Sequence, residues 1–86
     1  MLVHVAGRTK VDRSQEHNLI LKRIGLNMKL MRIRRGLTQE QLAAEAQIER
    51  AFAGSIERGE KNPTILTLFR LAAALKCTVS DLLEGT

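Results

Sequence analysis

With 86 residues, 44% of them hydrophobic but only 2% aromatic, the chain has room for one small domain whose core must be built from aliphatic and methionine side chains. Its single cysteine, Cys77, excludes an intramolecular disulfide and a multi-cysteine zinc site, and no apolar run approaches the ~18 residues of a membrane span or forms a signal-peptide core; a soluble, cytoplasmic protein is expected. A formal net charge of +5 favours an anionic partner, with nucleic acid ahead of a membrane surface.

Residues 1–18 read as an N-terminal arm, partly flexible or packed on the first helix, ahead of a domain at 19–86. Leu2-Val3-His4-Val5 alternates in polarity, and Arg8, Lys10 and Arg13 make the following run basic. Two readings stand: a frayed terminus, or an arm that touches DNA or a partner subunit, as basic arms commonly do.

Ser14 or Asn18 can open the first helix, which runs from 14 or 19 to 35. Ile20, Ile24, Met28 and Met31 fall at helical spacing and form the core-facing stripe. Leu26, Leu30 and Ile33 share the same period but lie on nearly the opposite side. A helix that is apolar on two faces needs two things to pack against. The second is either the N-terminal segment folded back or another protein, most simply a second copy of the chain. Lys22, Arg23, Lys29, Arg32, Arg34 and Arg35 run between the stripes, with no acidic residue at 19–36; a cation run of this kind is a solvated face or, as the missing counter-charge favours, a polyanion contact.

Thr38 and Gln41 have the spacing of a capping box, so a second helix begins at Gln39. Leu42, Ala43 and Ala46 give it a short apolar face. After a pause at Gln47-Ile48-Glu49, a third helix spans 50–58, with Phe52, Ala53 and Ile56 inward and Arg50, Ala51, Gly54 and Ser55 outward. Ala43 lies where the two short helices cross, and Gly59 is free to end the third in the left-handed conformation. Two short helices joined by such a turn make a helix-turn-helix. Gly54 costs a helix interior about 1 kcal/mol against alanine, which suggests a close approach of backbone to DNA. Thr64 caps a fourth helix whose Ile65, Leu68, Leu71, Ala72 and Leu75 face the core; Cys77 at its end is a small buried hydrophobe or a reactive thiol. Thr78 and Asp81 open a last short helix, 79–83.

These residues resemble the lambda-repressor-like (Xre-type) helix-turn-helix regulators. The likeness is carried by Gly25, Met28, Met31-Arg32 and Arg35-Gly36-Leu37-Thr38-Gln39-Glu40-Gln41-Leu42-Ala43, then Ile56-Glu57-Arg58-Gly59, Asn62-Pro63-Thr64, Leu68, Leu71-Ala72, Ala74-Leu75, Val79 and Leu82-Leu83. It implies an all-α, compact five-helix fold over residues 20–83. It also implies an ion pair between Arg32 and Glu57 that ties the first helix to the third, a two-point contact that arginine suits better than lysine.

The same resemblance implies that Gln39, Glu49, Arg50, Ala51 and Ser55 face bases or the groove, and that Thr38, Arg35, Arg58, Lys61 and Asn62 face phosphates. Arg50 matches the paired acceptors of guanine, although an arginine in a first turn also suits a phosphate. Gln39 is a groove contact or an ordinary exposed glutamine. Leu66 and Phe69 fall on a flank where such proteins often dimerise.

The sequence departs from the family pattern where Gln47 replaces the turn glycine, Glu49 the usual helix cap and Ala53 a bulky aliphatic. Glu49 suits the helix dipole but repels phosphate, so it is expected to accept from cytosine or to hold Arg50. Glu49-Arg50 with Ile56-Glu57-Arg58 resembles controller proteins of restriction-modification systems.

No enzyme is expected, and no cofactor or metal. His4 and His17 lie in the arm, no nucleophile is patterned near them, and no glycine-rich phosphate loop is present. The expectation is a sequence-specific double-stranded DNA-binding transcriptional regulator acting as a homodimer on a palindromic operator. The alternative is a protein-interaction module or antitoxin that keeps the fold, with a protein partner at Leu26, Leu30 and Ile33.

Overall fold

The computed structural model describes residues 12–86; the arm readings for residues 1–11 lie outside the described residues. Five helices follow one another there: α1 Arg13–Arg34, α2 Gln39–Ala46, α3 Arg50–Glu57, α4 Ile65–Leu75 and α5 Val79–Leu82. The first starts earlier than Ser14 because Asp12 caps it, its carboxylate accepting from the Ser14 amide at 3.1 Å. Residues 13–18 of the expected arm are therefore the opening turns of α1.

Side-chain caps start four of the five helices. Thr38 and Gln41 close their capping box at 3.0 and 2.8 Å, and Thr78 and Asp81 do the same at 3.0 and 2.9 Å. The Thr78 amide's bond to the Asp81 carboxylate, with the Thr78 hydroxyl close by, holds that carboxyl below the usual carboxylate range. Thr64 receives the Thr67 amide at 3.1 Å. Only α3 begins without a side-chain cap: Glu49 occupies that position and bonds nothing there.

Ile24 and Met28 of α1, Leu42, Ala43 and Ala46 of α2, and Ala53 and Ile56 of α3 meet Leu68, Leu71, Leu75 and Leu82 in one apolar core. Ile65 does not join them; it stands in the exposed first turn of α4 beside Leu66 and Phe69. Cys77 packs half-buried against the core. Burial, helped by the Asp81 charge, pushes its thiol up, which fits a small hydrophobe better than a nucleophile.

Helices α1 and α3 cross closely at Gly25. A Cβ built there would stand 2.4 Å from the Glu57 carbonyl oxygen and 2.5 Å from that of Ile56, so α1 and α3 are in contact through their backbones. Gly59 ends α3 with φ +74, and the room a side chain would need is taken by Lys22. Asn27, whose role nothing in the sequence pattern announced, donates from Nδ2 to the carbonyls of Leu82 and Glu84 at 2.9 and 2.7 Å, pinning α5 to α1.

Two non-glycine residues, Gln47 (φ 58) and Lys76 (φ 57), end α2 and α4 in the left-handed region. Gln47→Gly is expected to raise stability by about 0.5–1 kcal/mol, since the relief of side-chain crowding outweighs the extra freedom glycine gives the unfolded chain. Gly25→Ala is expected to lower stability by about 3 kcal/mol, because backbone cannot yield as a side chain can. Urea midpoints at unchanged slope read both; a neutral Gly25→Ala would mean that the two helices are not in backbone contact.

Candidate nucleic-acid interface

The site is built around a buried carboxylate. Glu57, with 3% of its side chain exposed, accepts from Arg32 Nε at 2.6 Å and Arg32 Nη2 at 3.2 Å. Gln39 Nε2 adds a third bond at 3.0 Å, and Arg32 Nη1 continues to the Leu37 carbonyl at 2.8 Å. A charge removed from water in this way is tolerable only when paired and hydrogen-bonded. The pairing locks α1, the 35–38 turn, the first turn of α2 and the end of α3 into one unit.

Gln39 is thus half-committed inside the protein. Its amide lies over Gly54, where a Cβ would stand 3.5 Å from Gln39 Oε1 and 3.2 Å from Arg58 Nη1. The space at Gly54 is accordingly filled by these two side chains, and Gly54 is buried rather than open to an incoming duplex.

Helix α3 is enclosed along most of its length. Ser55, expected to face outward, is 7% exposed, and its hydroxyl donates to the Phe52 carbonyl at 2.8 Å. Its burial follows from the wedging of α3 between α1 and α2, which covers both flanks of the helix and leaves only a narrow outer edge. Arg50 and Ala51 in the first turn, and Arg58 at the end, are exposed. Glu49 is exposed beside them and is not in any ion pair among the described residues, so it does not hold Arg50. Arg50 is free to turn outward.

The expected phosphate set divides as well. Arg35 is turned inward: Nη1 donates to the Ala74 carbonyl and stands 3.5 Å from Glu45 Oε1, so it ties α1 to α4 and α2. Arg58 is exposed but pairs with Glu60 at 3.0 Å, a contact that raises the arginine's pKa and lowers that of the carboxyl. Lys61 is exposed, Asn62 lines a shallow groove with His17, Ile20 and Pro63, and Thr38 is exposed at the start of α2. The exposed ends of α2 and α3 offer backbone N–H groups and the positive end of each helix dipole, which suits phosphate oxygens.

Comparisons with known proteins find the same fold. Residues 28–82 match the family model HTH_3, described as helix-turn-helix. An uncharacterized HTH-type transcriptional regulator, y4dJ, of Sinorhizobium fredii is 38% identical over 65 residues, covering 76% of this chain and 84% of that protein. The control protein C.SmaI of Serratia marcescens is 44% identical over 57 residues, covering 66% and 68%. The restriction-modification controller protein C.AhdI of Aeromonas hydrophila superposes with a TM-score of 0.71 at 32% identity, covering 72% of this chain and 94% of that one.

The central pair is open to a direct test. Arg32→Met alone is expected to cost about 3–5 kcal/mol because it strands the Glu57 carboxylate, and Arg32→Met with Glu57→Leu is expected to recover much of that loss. Denaturant unfolding of the two singles and the double measures the coupling. Additive losses would mean that the carboxylate finds water when its partner is gone.

Proposed function

This chain belongs to the HTH_3 helix-turn-helix family of DNA-binding transcription regulators, and from that premise we propose that it is a sequence-specific regulator that binds a two-fold-related operator as a homodimer. The reading is of a cytoplasmic binding protein, not an enzyme. It is carried by one observation: the part of α3 left outside the protein is its first turn, with Arg50 and Ala51, beside the exposed start of α2 and the Arg58-Lys61-Asn62 loop.

Arg50 is assigned to base reading, where a two-point match to guanine is worth about 1–3 kcal/mol. Ala51 is assigned to a thymine methyl and Glu49 to a cytosine amino group. Gln39, with Nε2 engaged by Glu57, presents its Oε1 and backbone. Thr38, Arg58, Lys61 and Asn62 are assigned to the sugar-phosphate backbone, which positions the protein without reading sequence. Ser55 is left out because its buried hydroxyl donates to the Phe52 carbonyl, and Arg35 because its Nη1 is held by the Ala74 carbonyl beside Glu45.

Self-association is assigned to α4. Ile65, Leu66 and Phe69 are 56–68% exposed on one face, and Arg70 is the only charged residue of that helix, so two copies can meet there without opposing many like charges. The two α3 helices would then enter successive major grooves about 34–36 Å apart.

Selection from random duplexes at moderate salt is expected to return an enriched sequence with two related halves. Arg50→Ala should lose the preference, Lys61→Ala should weaken all sequences alike and lower the salt slope by about 1, and Glu60→Gln should strengthen all alike by releasing Arg58. No enrichment would defeat the reading, and identical behaviour of Arg50→Ala and Lys61→Ala would overturn the role assignment. Phe69→Glu is expected to yield a folded monomer in sedimentation equilibrium; a persistent dimer would move the interface off α4.

A further inference from the structure

We propose that the outer face of α1 is a docking surface for an acidic amphipathic helix of a second protein. Leu19, Leu26, Leu30 and Ile33 are 42–65% exposed. At about 100° per residue they share one side of α1, opposite the Ile24 and Met28 that enter the core. Leu19, Leu26 and Ile33 recur every seven residues, the repeat that a second helix can follow over about 21 Å of axis.

The chemistry at the margins of this stripe selects the occupant. Lys22 and Lys29 border it on one side and Arg23 and Arg34 on the other. Of the six cations at 22–35, Arg32 pairs with Glu57 and Arg35 stands 3.5 Å from Glu45. None of the remaining four has a carboxylate within ion-pair distance among the described residues. Glu60 stands near enough to Lys22 to have its carboxyl lowered by that charge. Asp81 and Glu84 line the groove beside Arg23 and Arg34 without closing on them.

A second copy of α1 would set lysine against lysine along the same seven-residue repeat, where like charges oppose pairing. The chain's own residues 1–11 carry Arg8 and Lys10 and no acidic residue at all, so they too bring charge of the wrong sign. Leucines or isoleucines at the seam with glutamate or aspartate on both flanks would satisfy the apolar stripe and all four cations together. The apolar stripe lies on the side of α1 away from the core; of its bordering cations Lys22 adjoins Gly59 at the end of α3, so the proposal is tested without DNA.

The test uses the full chain without DNA, labelled for nuclear magnetic resonance. The probe is a synthetic helical peptide of about three heptads, with leucine at the seam and glutamate on its flanks, beside a control with lysine replacing every glutamate. The glutamate peptide is expected to shift the amides of residues 19–33 and to lose affinity as salt rises. Leu30→Glu should weaken it at least about tenfold, as should Lys22→Glu with Lys29→Glu; all of these positions are exposed, and unchanged shifts at Leu42 and Leu71 would report an intact fold. Equal binding of the two peptides, or shifts confined to α3 or α4, would overturn the proposal. So would contacts from residues 2–5 to the stripe in the free chain, or a dimer that Leu30→Glu dissociates.

Discussion

The Glu57 carboxylate is the point on which the rest of the architecture depends. Placing a charge at 3% exposure is unfavourable unless its lone pairs are taken up, and here three hydrogen bonds from two elements do so. The contacts around the carboxylate have separate structural consequences. The Arg32 fork fixes the rotation of α1 relative to α3, and the Gln39 amide fixes the first turn of α2. Arg32 Nη1 on the Leu37 carbonyl sets the turn between them. Gly25 then allows the backbones of α1 and α3 to meet directly beneath the pair. Geometry and electrostatics are mutually required: without the close crossing Arg32 would not reach, and without Arg32 the crossing would bury an unpaired anion.

This arrangement decides what α3 has left to offer. A helix of eight residues wedged between two neighbours has little free surface, and the interior takes Ala53, Gly54, Ser55 and Ile56. The surface that remains is a first turn with Arg50 and Ala51, uncapped by any side chain, and a cationic end moderated by Glu60. The exposed first turn gains rigidity from the enclosure, since its side chains project from a backbone held between α1 and α2. The missing side-chain cap at Glu49 leaves the first-turn N–H groups of α3 without a side-chain acceptor.

Among the described residues two apolar faces lie outside the core, and their borders distinguish them. The α4 face at Ile65, Leu66 and Phe69 is nearly free of charge, whereas the α1 face is fringed by four cations. Apolar area drives association in both cases, but charge decides the acceptable partner. One face is therefore suited to an identical surface and the other to an acidic one. The proposed self-association and the proposed docking of a second protein consequently concern different faces of one molecule.

Local pattern sufficed for much of the fold. The capping boxes at Thr38 and Thr78, the Thr64 cap, the glycine end of α3 and the two-faced periodicity of α1 all depend on residues within a few positions of one another, and such short-range chemistry is written directly in the chain. The Arg32–Glu57 pair was legible only through family resemblance, because its members are 25 residues apart. The burial of Ser55 and Gly54, the inward turn of Arg35, the exposure of Ile65 and the hold of Asn27 on α5 were decided by tertiary structure. A side chain's direction on a helical wheel does not say which neighbours will enclose it, and a guanidinium or amide is committed only when a distant carbonyl or carboxylate arrives within hydrogen-bond reach.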